Sequence, residues 1–190
     1  SFRALGETIR LGMPKEQPAP SFTVSRNDRQ RQIAAYWQMP RRHPVILCVP
    51  NVLTADELGV LRSELRDASF TDGARTAGWS AREVKKNLQA SDDNPHQERL
   101  RDMVRSAFML NGMLQTALLP SASTLPLFNR YDIGMQYGQH VDAPVMGGMG
   151  NAVRTDVAIT LFISEPTSYD GGELMIDSGG MEYAFKLDAG

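Results

Sequence analysis

The sequence predicts an α+β fold in which helices pack on one side of an antiparallel sheet or barrel. Two observations carry this prediction. Helical periodicity marks residues 54–68 and 94–111, on either side of a polar, glycine-containing segment at 71–94, whereas the alternation typical of strands dominates residues 125–187. A chain in which helices come first and strands come later is typical of α+β proteins rather than of alternating βαβ units.

The composition describes an ordinary globular chain. Its 190 residues are enough for one core, and hydrophobic residues make up 42% against 22% charged. The formal net charge of -2 argues against a general nucleic-acid or anionic-membrane binder, because either needs a clustered basic surface. No stretch approaches the roughly 18 consecutive apolar residues of a membrane helix. The single cysteine excludes an internal disulfide, so we expect a reducing, cytoplasmic location.

Residues 1 to about 42 are predicted to form an N-terminal extension that is partly disordered. This segment has no sustained hydrophobic period and is rich in proline, arginine and glutamine. The five arginines in 26–42 favour a solvated arm over a binding patch. The folded domain follows over 43–190. It opens with the apolar run 45–49, short enough for a buried strand, in which Cys48 is interpreted as an inert core thiol.

Two helices are predicted in the first half of this domain. The first begins at the capping box Thr54-Ala55-Asp56-Glu57 and continues with one apolar stripe to about Ala68. The second begins at Asn94-Pro95-His96-Gln97, where an N-cap residue precedes proline at the first helical position. Asn111-Gly112 ends it.

Strands are predicted after Pro120, where the hydrophobic period changes from 3.6 to 2. The second of them has Val157, Ile159, Leu161 and Ile163 on one face. Glycine turns at Gly171-Gly172 and Ser178-Gly179-Gly180 separate the later strands, because a tight turn with positive φ favours glycine. The predicted strands are Leu125 to Tyr131, Thr155 to Ser164, Glu173 to Asp177 and Tyr183 to Leu187.

Between the first two of these strands lies His140-Val141-Asp142. In an extended chain residues i and i+2 point to the same face, so this imidazole and carboxylate can bind one metal ion from one side. With a third ligand from elsewhere they form the 2-His-1-carboxylate triad, which leaves positions open on Fe(II). The spacing alone is a weak signal because it is common by chance.

The surroundings of the pair strengthen that signal. It ends the segment 129–142, and Arg154-Thr155-Asp156, Thr160-Leu161-Phe162 and Tyr169-Asp170-Gly171-Gly172-Glu173-Leu174 follow in order. Together these motifs resemble the prolyl-hydroxylase-like superfamily of 2-oxoglutarate dioxygenases, and more narrowly the PKHD-type hydroxylases. The resemblance runs from about Val45 to Gly190.

The resemblance implies a double-stranded β-helix, or jelly roll, with Fe(II) held by His140, Asp142 and a later histidine. His140 and Asp142 would be both metal ligands and catalytic residues. Tyr131 would hydrogen-bond 2-oxoglutarate, with packing inside the barrel as the alternative, and Thr160 is a second candidate cofactor contact. The implied reaction is hydroxylation of a prolyl or other amino-acid side chain, with O2 and 2-oxoglutarate as partners and ascorbate as reductant.

Four further features have two readings each. Tyr137 faces the substrate or packs. Arg154 touches substrate or forms a surface or structural ion pair. Gly171-Gly172 is part of the family pattern, but we interpret it as a turn anchored by Glu173. The glycine- and methionine-rich loop 143–153 is either an ordinary disordered loop or a lid that excludes water from the iron site.

The sequence also departs from the family pattern. The resemblance implies a distal histidine and a basic residue after it, yet the other histidines, His43 and His96, precede the pair. We therefore expect an incomplete domain, truncated at the C-terminus, with the last strands of the jelly roll missing. The alternative function is a non-catalytic jelly-roll binding module or inactive fragment lacking the third ligand. No nucleic-acid or membrane partner is expected, the substrate is not predicted, and a homodimer is left open.

Overall fold

A computed structural model describes residues 6–13, 46–147, 150, 152–178 and 180–190, with the backbone alone for 6–13, 79 and 80. Short 3-10 turns lie at Gly73–Thr76 and Pro166–Ser168. No helix in the described ranges is long and apolar enough to cross a membrane. The helices are α1 (Ala55–Arg66), α2 (Trp79–Arg82), α3 (Gln97–Leu110) and α4 (Gly112–Leu118).

The strands pair antiparallel throughout the described chain. One sheet has five strands in the order β2-β4-β5-β1-β9, and three two-stranded pairs are β3–β6, β7–β8 and β10–β11. Helices combined with antiparallel sheets confirm the predicted α+β class. The strands are β1 (Gly6–Met13), β2 (Phe70–Asp72), β3 (Lys85–Lys86), β4 (Leu88–Ala90), β5 (Leu127–Tyr131), β6 (Gln136–Tyr137), β7 (Val145–Met146), β8 (Val153–Arg154), β9 (Val157–Phe162), β10 (Leu174–Ser178) and β11 (Met181–Phe185).

The helices and one face of the five-stranded sheet share a single apolar core. From the sheet, Phe128 of β5 and Leu161 of β9 are almost fully buried in it. The face of β9 predicted to be apolar packs there, including Ile163 just after the strand. Helices α1, α3 and α4 contribute Leu58, Leu61, Leu65, Leu100, Val104, Ala107, Phe108 and Leu114. This one-sided packing leaves the opposite face of the sheet for other contacts.

Local signals explain where the helices begin and end. The Thr54 hydroxyl accepts from Glu57 N at 3.2 Å while Thr54 N donates to Glu57 Oε2 at 2.8 Å, which confirms the predicted capping box. Helix α3 begins at Gln97, later than predicted, because Asn94 Oδ1 accepts from His96 N at 3.0 Å and closes a turn before the helix. Asn111 ends α3 as predicted, but its side chain also caps α4, which was not predicted.

The apolar run at 45–49 is not a buried strand. Residues 46–50 have no strand structure, and Cys48 is exposed rather than in the core. Of this run, Val49 packs against the core. Only part of the run therefore turns inward, which neither helical nor strand periodicity revealed.

The two glycine turns are confirmed. Gly171 and Gly172 have φ of 72° and 79°, and Gly180 has φ of 87° between paired strands β10 and β11. The backbone of a residue with a Cβ is strained at such positive φ angles. The turns thus set the ends of the late strands.

Strand β1 lies within the predicted N-terminal extension. Its backbone pairs with β5 on one side and with β9 on the other, so that Gly6 is opposite Tyr131 and Arg10 is opposite Thr160. The remainder of the predicted extension, including the arginine-rich arm, lies outside the described residues. The domain boundary near residue 42 and the partial disorder stay predictions.

Candidate metal centre

The predicted metal pair is close enough to share an ion. His140 and Asp142 lie in the irregular segment between β6 and β7, and His140 Nε2 is 3.3 Å from Asp142 Oδ1. The His140 side chain is 3% exposed, whereas that of Asp142 is 39% exposed. The imidazole is therefore buried and the carboxylate opens to the surface.

The backbone fixes the orientation of the imidazole. His140 Nδ1 lies 2.7 Å from the carbonyl oxygen of Gly138. A carbonyl only accepts hydrogen bonds, so the proton of a neutral imidazole sits on Nδ1 and leaves the lone pair of Nε2 on the side of Asp142. Gly138 is itself held, because its N–H donates to Val84 O at 2.8 Å and a Cβ there would lie 2.9 Å from Val84 Cβ.

Tyr137 packs directly on this histidine. Its ring stacks on the His140 ring with centroids 3.7 Å apart and an interplanar angle of 11°. The tyrosine is 8% exposed and pairs in register with Lys85, whose Nζ lies 5.1 Å from the ring centroid. Of the two readings of Tyr137, the structure shows packing.

The other predicted cofactor contacts lie at different distances from the pair. Tyr131 is 7% exposed and belongs to the same buried cluster as Tyr137. Thr160 shares the sheet face of Tyr131, but it is opposite Arg10 of β1 whereas Tyr131 is opposite Gly6. Four residues along a strand are about 13 Å. The structure thus brings Tyr131 to the site and leaves Thr160 further along the sheet, and both cofactor contacts stay predictions.

Next to these residues lies a set of polar side chains that the sequence analysis did not single out, four of them buried and one, Thr76, exposed. We call Thr76, Lys85, Asn87, Gln89 and Asn129 the polar wall. Lys85 of β3, Asn87 between the two strands and Gln89 of β4 are 7%, 3% and 5% exposed. Buried polar residues recur at every second position here, but they lie in the segment 71–94, which the sequence predicts only as polar and glycine-containing.

The amide side chains of the wall hold one another. Asn129 Nδ2 donates to Leu127 O at 3.0 Å, so its Oδ1 is the acceptor for Gln89 Nε2 at 2.8 Å and for Asn87 Nδ2 at 3.0 Å. Asn87 Oδ1 has no hydrogen-bond partner among the described residues and faces Gly73. Asn129 therefore links the side chains of Asn87 and Gln89 in the wall.

Arg154 and the loop that follows the metal pair both make structural contacts in the described chain. Arg154 forms an ion pair with Asp156, in which Nε and one terminal guanidinium nitrogen each lie 2.9 Å from Asp156 Oδ2. The Arg154 side chain is 58% exposed. Residues 145–146 and 153–154 pair as the β7–β8 hairpin within the predicted lid loop, and Thr155 N donates to Pro144 O at 2.9 Å. Whether this hairpin acts as a lid stays a prediction.

The Tyr169 phenol lies near the glycine turn at Gly171 and Gly172. Burial, and then the charge of Glu173, raise its pKa above the ordinary value of 10.0. Lys186 Nζ donates to Tyr169 O at 2.7 Å and lies 4.2 Å from its ring centroid. This cluster ties the turn to β11, the strand that ends at Phe185.

The donor set at the pair fits a divalent metal ion, but only as part of a site. An imidazole nitrogen and a carboxylate oxygen are the ligand types of the iron triad, and the Gly138 carbonyl accepts the hydrogen bond from the other imidazole nitrogen, Nδ1. Within the described ranges, no group of three or more His, Cys, Asp or Glu side chains is arranged to hold a metal ion. The pair thus offers one imidazole nitrogen and one carboxylate oxygen as candidate metal ligands.

Comparison with known proteins identifies relatives of one kind, the PKHD-type hydroxylases. No family model matches the chain. It is 43% identical over 142 residues to a PKHD-type hydroxylase of Picosynechococcus sp., covering 75% of this chain and 63% of the relative. PKHD-type hydroxylases of Thioalkalivibrio sulfidiphilus and Paraburkholderia phytofirmans are each 42% identical over 77% of this chain, covering 65% and 66% of their own lengths. The chain therefore spans just under two thirds of the curated relatives it matches.

Proposed function

Because this chain belongs to the PKHD-type hydroxylases, we propose that the protein is a 2-oxoglutarate- and O2-dependent hydroxylase with a mononuclear Fe(II). His140 and Asp142 would bind the metal. The double-stranded β-helix, the cytoplasmic location and a prolyl or other amino-acid side chain as target are parts of the same proposal. The observation that carries it is the 3.3 Å approach of His140 Nε2 to Asp142 Oδ1, with Nδ1 held by the backbone.

Each residue of the site has a defined part in this proposal. Bound at the pair, Fe(II) would supply the redox chemistry by which O2 and 2-oxoglutarate hydroxylate a C–H bond, with succinate and CO2 as co-products. The Gly138 carbonyl holds the proton on Nδ1 of His140, and Tyr137 covers one face of the imidazole. Tyr131 is the proposed hydrogen-bond donor to 2-oxoglutarate. Thr160 is a second cofactor candidate, and ascorbate would keep the iron reduced.

Metal binding by the chain tests the pair directly. We expect weak Fe(II) binding and little succinate formation by the 190-residue chain, because the described residues supply two ligands. Anaerobic Fe(II) titration should show that His140→Ala and Asp142→Ala lower even this weak affinity by about tenfold or more. His96→Ala is the matched control, because His96 is half-exposed and lies 3.5 Å from Glu64, away from the pair. Equal affinities in the His140 and His96 variants would refute the pair as ligands.

A second function, a non-catalytic jelly-roll binding module, is favoured by the two-ligand count within the described residues. The two functions differ in one product. A hydroxylase releases succinate from 2-oxoglutarate in an amount that depends on His140, whereas a binding module releases none above the His140→Ala background.

A further inference from the structure

The candidate ligand His140 is held by two consecutive residues of one chain segment. The Tyr137 ring stacks on the imidazole with centroids 3.7 Å apart, and the Gly138 carbonyl oxygen lies 2.7 Å from His140 Nδ1. Tyr137 is in register with Lys85 of β3. Gly138 N donates to Val84 O at 2.8 Å, which extends the same pairing by one residue. The orientation of the imidazole therefore depends on how this segment pairs with β3 and the residue before it.

The approach of Gly138 to Val84 leaves no room for a side chain at position 138. A Cβ there would lie 2.9 Å from Val84 Cβ and 3.4 Å from Val84 O. The first distance is shorter than an ordinary contact between carbon atoms, which is about 3.5–4.0 Å. Gly138 does not have a positive φ, so the requirement for glycine is one of space rather than of backbone angle. A side chain here would push the Gly138 carbonyl away from the imidazole.

Val84 is held in place from the other side. Its backbone N–H donates to Ala81 O at 3.3 Å, and its carbonyl accepts from Gly138. Its side chain packs against a buried cluster made of Ala77, Ala81, Tyr131 and Tyr137. The strain of a side chain at position 138 is therefore taken up by the irregular segment that carries His140 rather than by Val84.

We propose that Val84 and Gly138 are positioning residues for the metal ligand His140, an inference that rests on the proposed hydroxylase function. Gly138 presents its carbonyl to Nδ1 only while no side chain separates it from Val84. The hydrogen bond at Nδ1 turns Nε2 towards Asp142, where the ion would bind. Both positioning residues act through the imidazole rather than on the ion.

Fe(II) affinity and one hydrogen-bonded proton test the proposal. Because partners that orient a ligating histidine typically change metal affinity by about tenfold or more, we expect Gly138→Ala to weaken Fe(II) binding about tenfold in an anaerobic titration. The Gly138 carbonyl also shields the Nδ1 proton of His140 from exchange with water. We expect an NMR signal from this proton in the metal-free chain with isotopically labelled histidine, and its loss in Gly138→Ala. The chain has three histidines, so the signal is assigned by its absence in His140→Ala.

A second substitution distinguishes positioning from a general loss of stability. Val84→Gly removes the Cβ that a side chain at position 138 would meet, so Val84→Gly combined with Gly138→Ala should regain both the Fe(II) affinity and the Nδ1 proton signal. Val84→Ala keeps that Cβ and should restore neither. Glycine destabilises a strand more than alanine does, so a general effect of stability predicts the opposite order. Equal recovery in the two double variants, or recovery in neither, would overturn the proposal.

Gly112 provides a matched control for the same chemical change. It is exposed at the start of α4, and a Cβ there would meet nothing within 4 Å. Gly112→Ala should keep the Fe(II) affinity and the Nδ1 proton signal, and circular dichroism at the temperature of the titration shows which variants are folded. If the double variant with Val84→Gly does not fold, the single variants decide. Weaker Fe(II) binding and loss of the signal in Gly138→Ala alone support the proposal, and values equal to those of Gly112→Ala overturn it.

The Nδ1 proton separates this proposal from the proposed reaction. Its signal is measured without metal, so it reports on the contact between Gly138 and His140 even if no succinate forms. Conversely, Fe(II) binding that depends on His140 can be found whether or not Gly138 orients the imidazole. Failure of the positioning and failure of the hydroxylase function therefore give different results.

Discussion

The Tyr137 ring lies parallel to the imidazole of His140, with ring centroids 3.7 Å apart and planes 11° apart. The same imidazole contacts the Gly138 carbonyl through Nδ1 at 2.7 Å. One contact restricts the tilt of the ring and the other restricts its rotation. The candidate ligand is therefore held in one orientation by residues two and three positions earlier in the chain.

Replacing Tyr137 should separate stacking from the phenol hydroxyl. Tyr137→Phe keeps the stacked ring and should bind metal like the unaltered chain. Tyr137→Leu removes an aromatic contact of about 0.5–1.5 kcal/mol, so we expect metal affinity to fall by about threefold to tenfold. Metal affinity is measured by competition with a chromogenic chelator at a temperature at which circular dichroism shows both variants folded.

A tyrosine outside the site serves as the control for this comparison. Tyr183 lies half-buried on β11, and Tyr183→Leu should leave metal affinity unchanged. Tyr137→Leu binding metal as tightly as Tyr137→Phe would show that stacking does not position His140.

Two glycine-to-alanine changes should shift stability in opposite directions. A Cβ on Gly73 would overlap the Asn87 side-chain oxygen and lie 2.9 Å from Asn87 Cγ, and Asn87 is held by Asn129. We expect Gly73→Ala to lower the free energy of unfolding by about 1–3 kcal/mol. Gly59 is exposed in α1 with nothing within 4 Å, so Gly59→Ala should raise it by up to about 1 kcal/mol. Urea unfolding measures both, and a stabilising Gly73→Ala would contradict the close packing.

Stability at alkaline pH should depend on Tyr169. Its pKa is raised above 10.0 in the folded chain by burial and then by Glu173, so the folded state favours the neutral phenol. The stabilisation is fully present below the unfolded pKa and is lost as pH rises from about 10 through the higher folded value. Urea unfolding from pH 8 to pH 11, compared with Tyr169→Phe, should show a steeper decline in the unaltered chain. Identical slopes for the two proteins would refute the shift.

Methionine oxidation tests the lid. If the loop 143–153 covers the iron site, oxidants released there during turnover without substrate should reach Met146 and Met149 first. Exposure alone predicts a different order, because Met109 and Met113 are 63% and 53% exposed whereas Met146 is partly buried. Peptide mass spectrometry of the iron-loaded chain after incubation with O2 and 2-oxoglutarate gives the order. Earlier oxidation of Met109 and Met113 would argue against a lid.

Structural features that depend on a few adjacent residues could be predicted from the sequence. The capping box at Thr54 and the turn at Gly171 depend on a few adjacent residues, and both match. The start of α3 was placed too early because the Asn94 side chain closes a turn instead of capping a helix, two geometries that use the same residue type. The prediction that Cys48 lies in the core was wrong, because an apolar run does not show which of its residues pack against the core.

The polar wall was missed for a different reason. Strands β3 and β4 are two and three residues long, too short for a period of 2 to stand out. Their buried positions hold polar residues, which in sequence look like a solvated loop. Only the pairing of Gln89 with Asn129 across β4 and β5 shows that these side chains face inward. The His140 and Asp142 pair was found because its motif is local, whereas Lys85 joins it through tertiary contacts.

Strand β5 serves two opposite surfaces at once. Phe128 faces the apolar core, and its neighbour Asn129 faces the polar wall. Because side chains alternate along a strand, the insertion of one residue before Phe128 would exchange the two surfaces, placing an amide in the core and a phenyl ring among hydrogen-bonding groups. Point substitutions on β5 can disturb the apolar core or the polar wall separately, whereas a shift by a single residue would disturb both. Length, more than composition, is the property of this strand that evolution is least free to change.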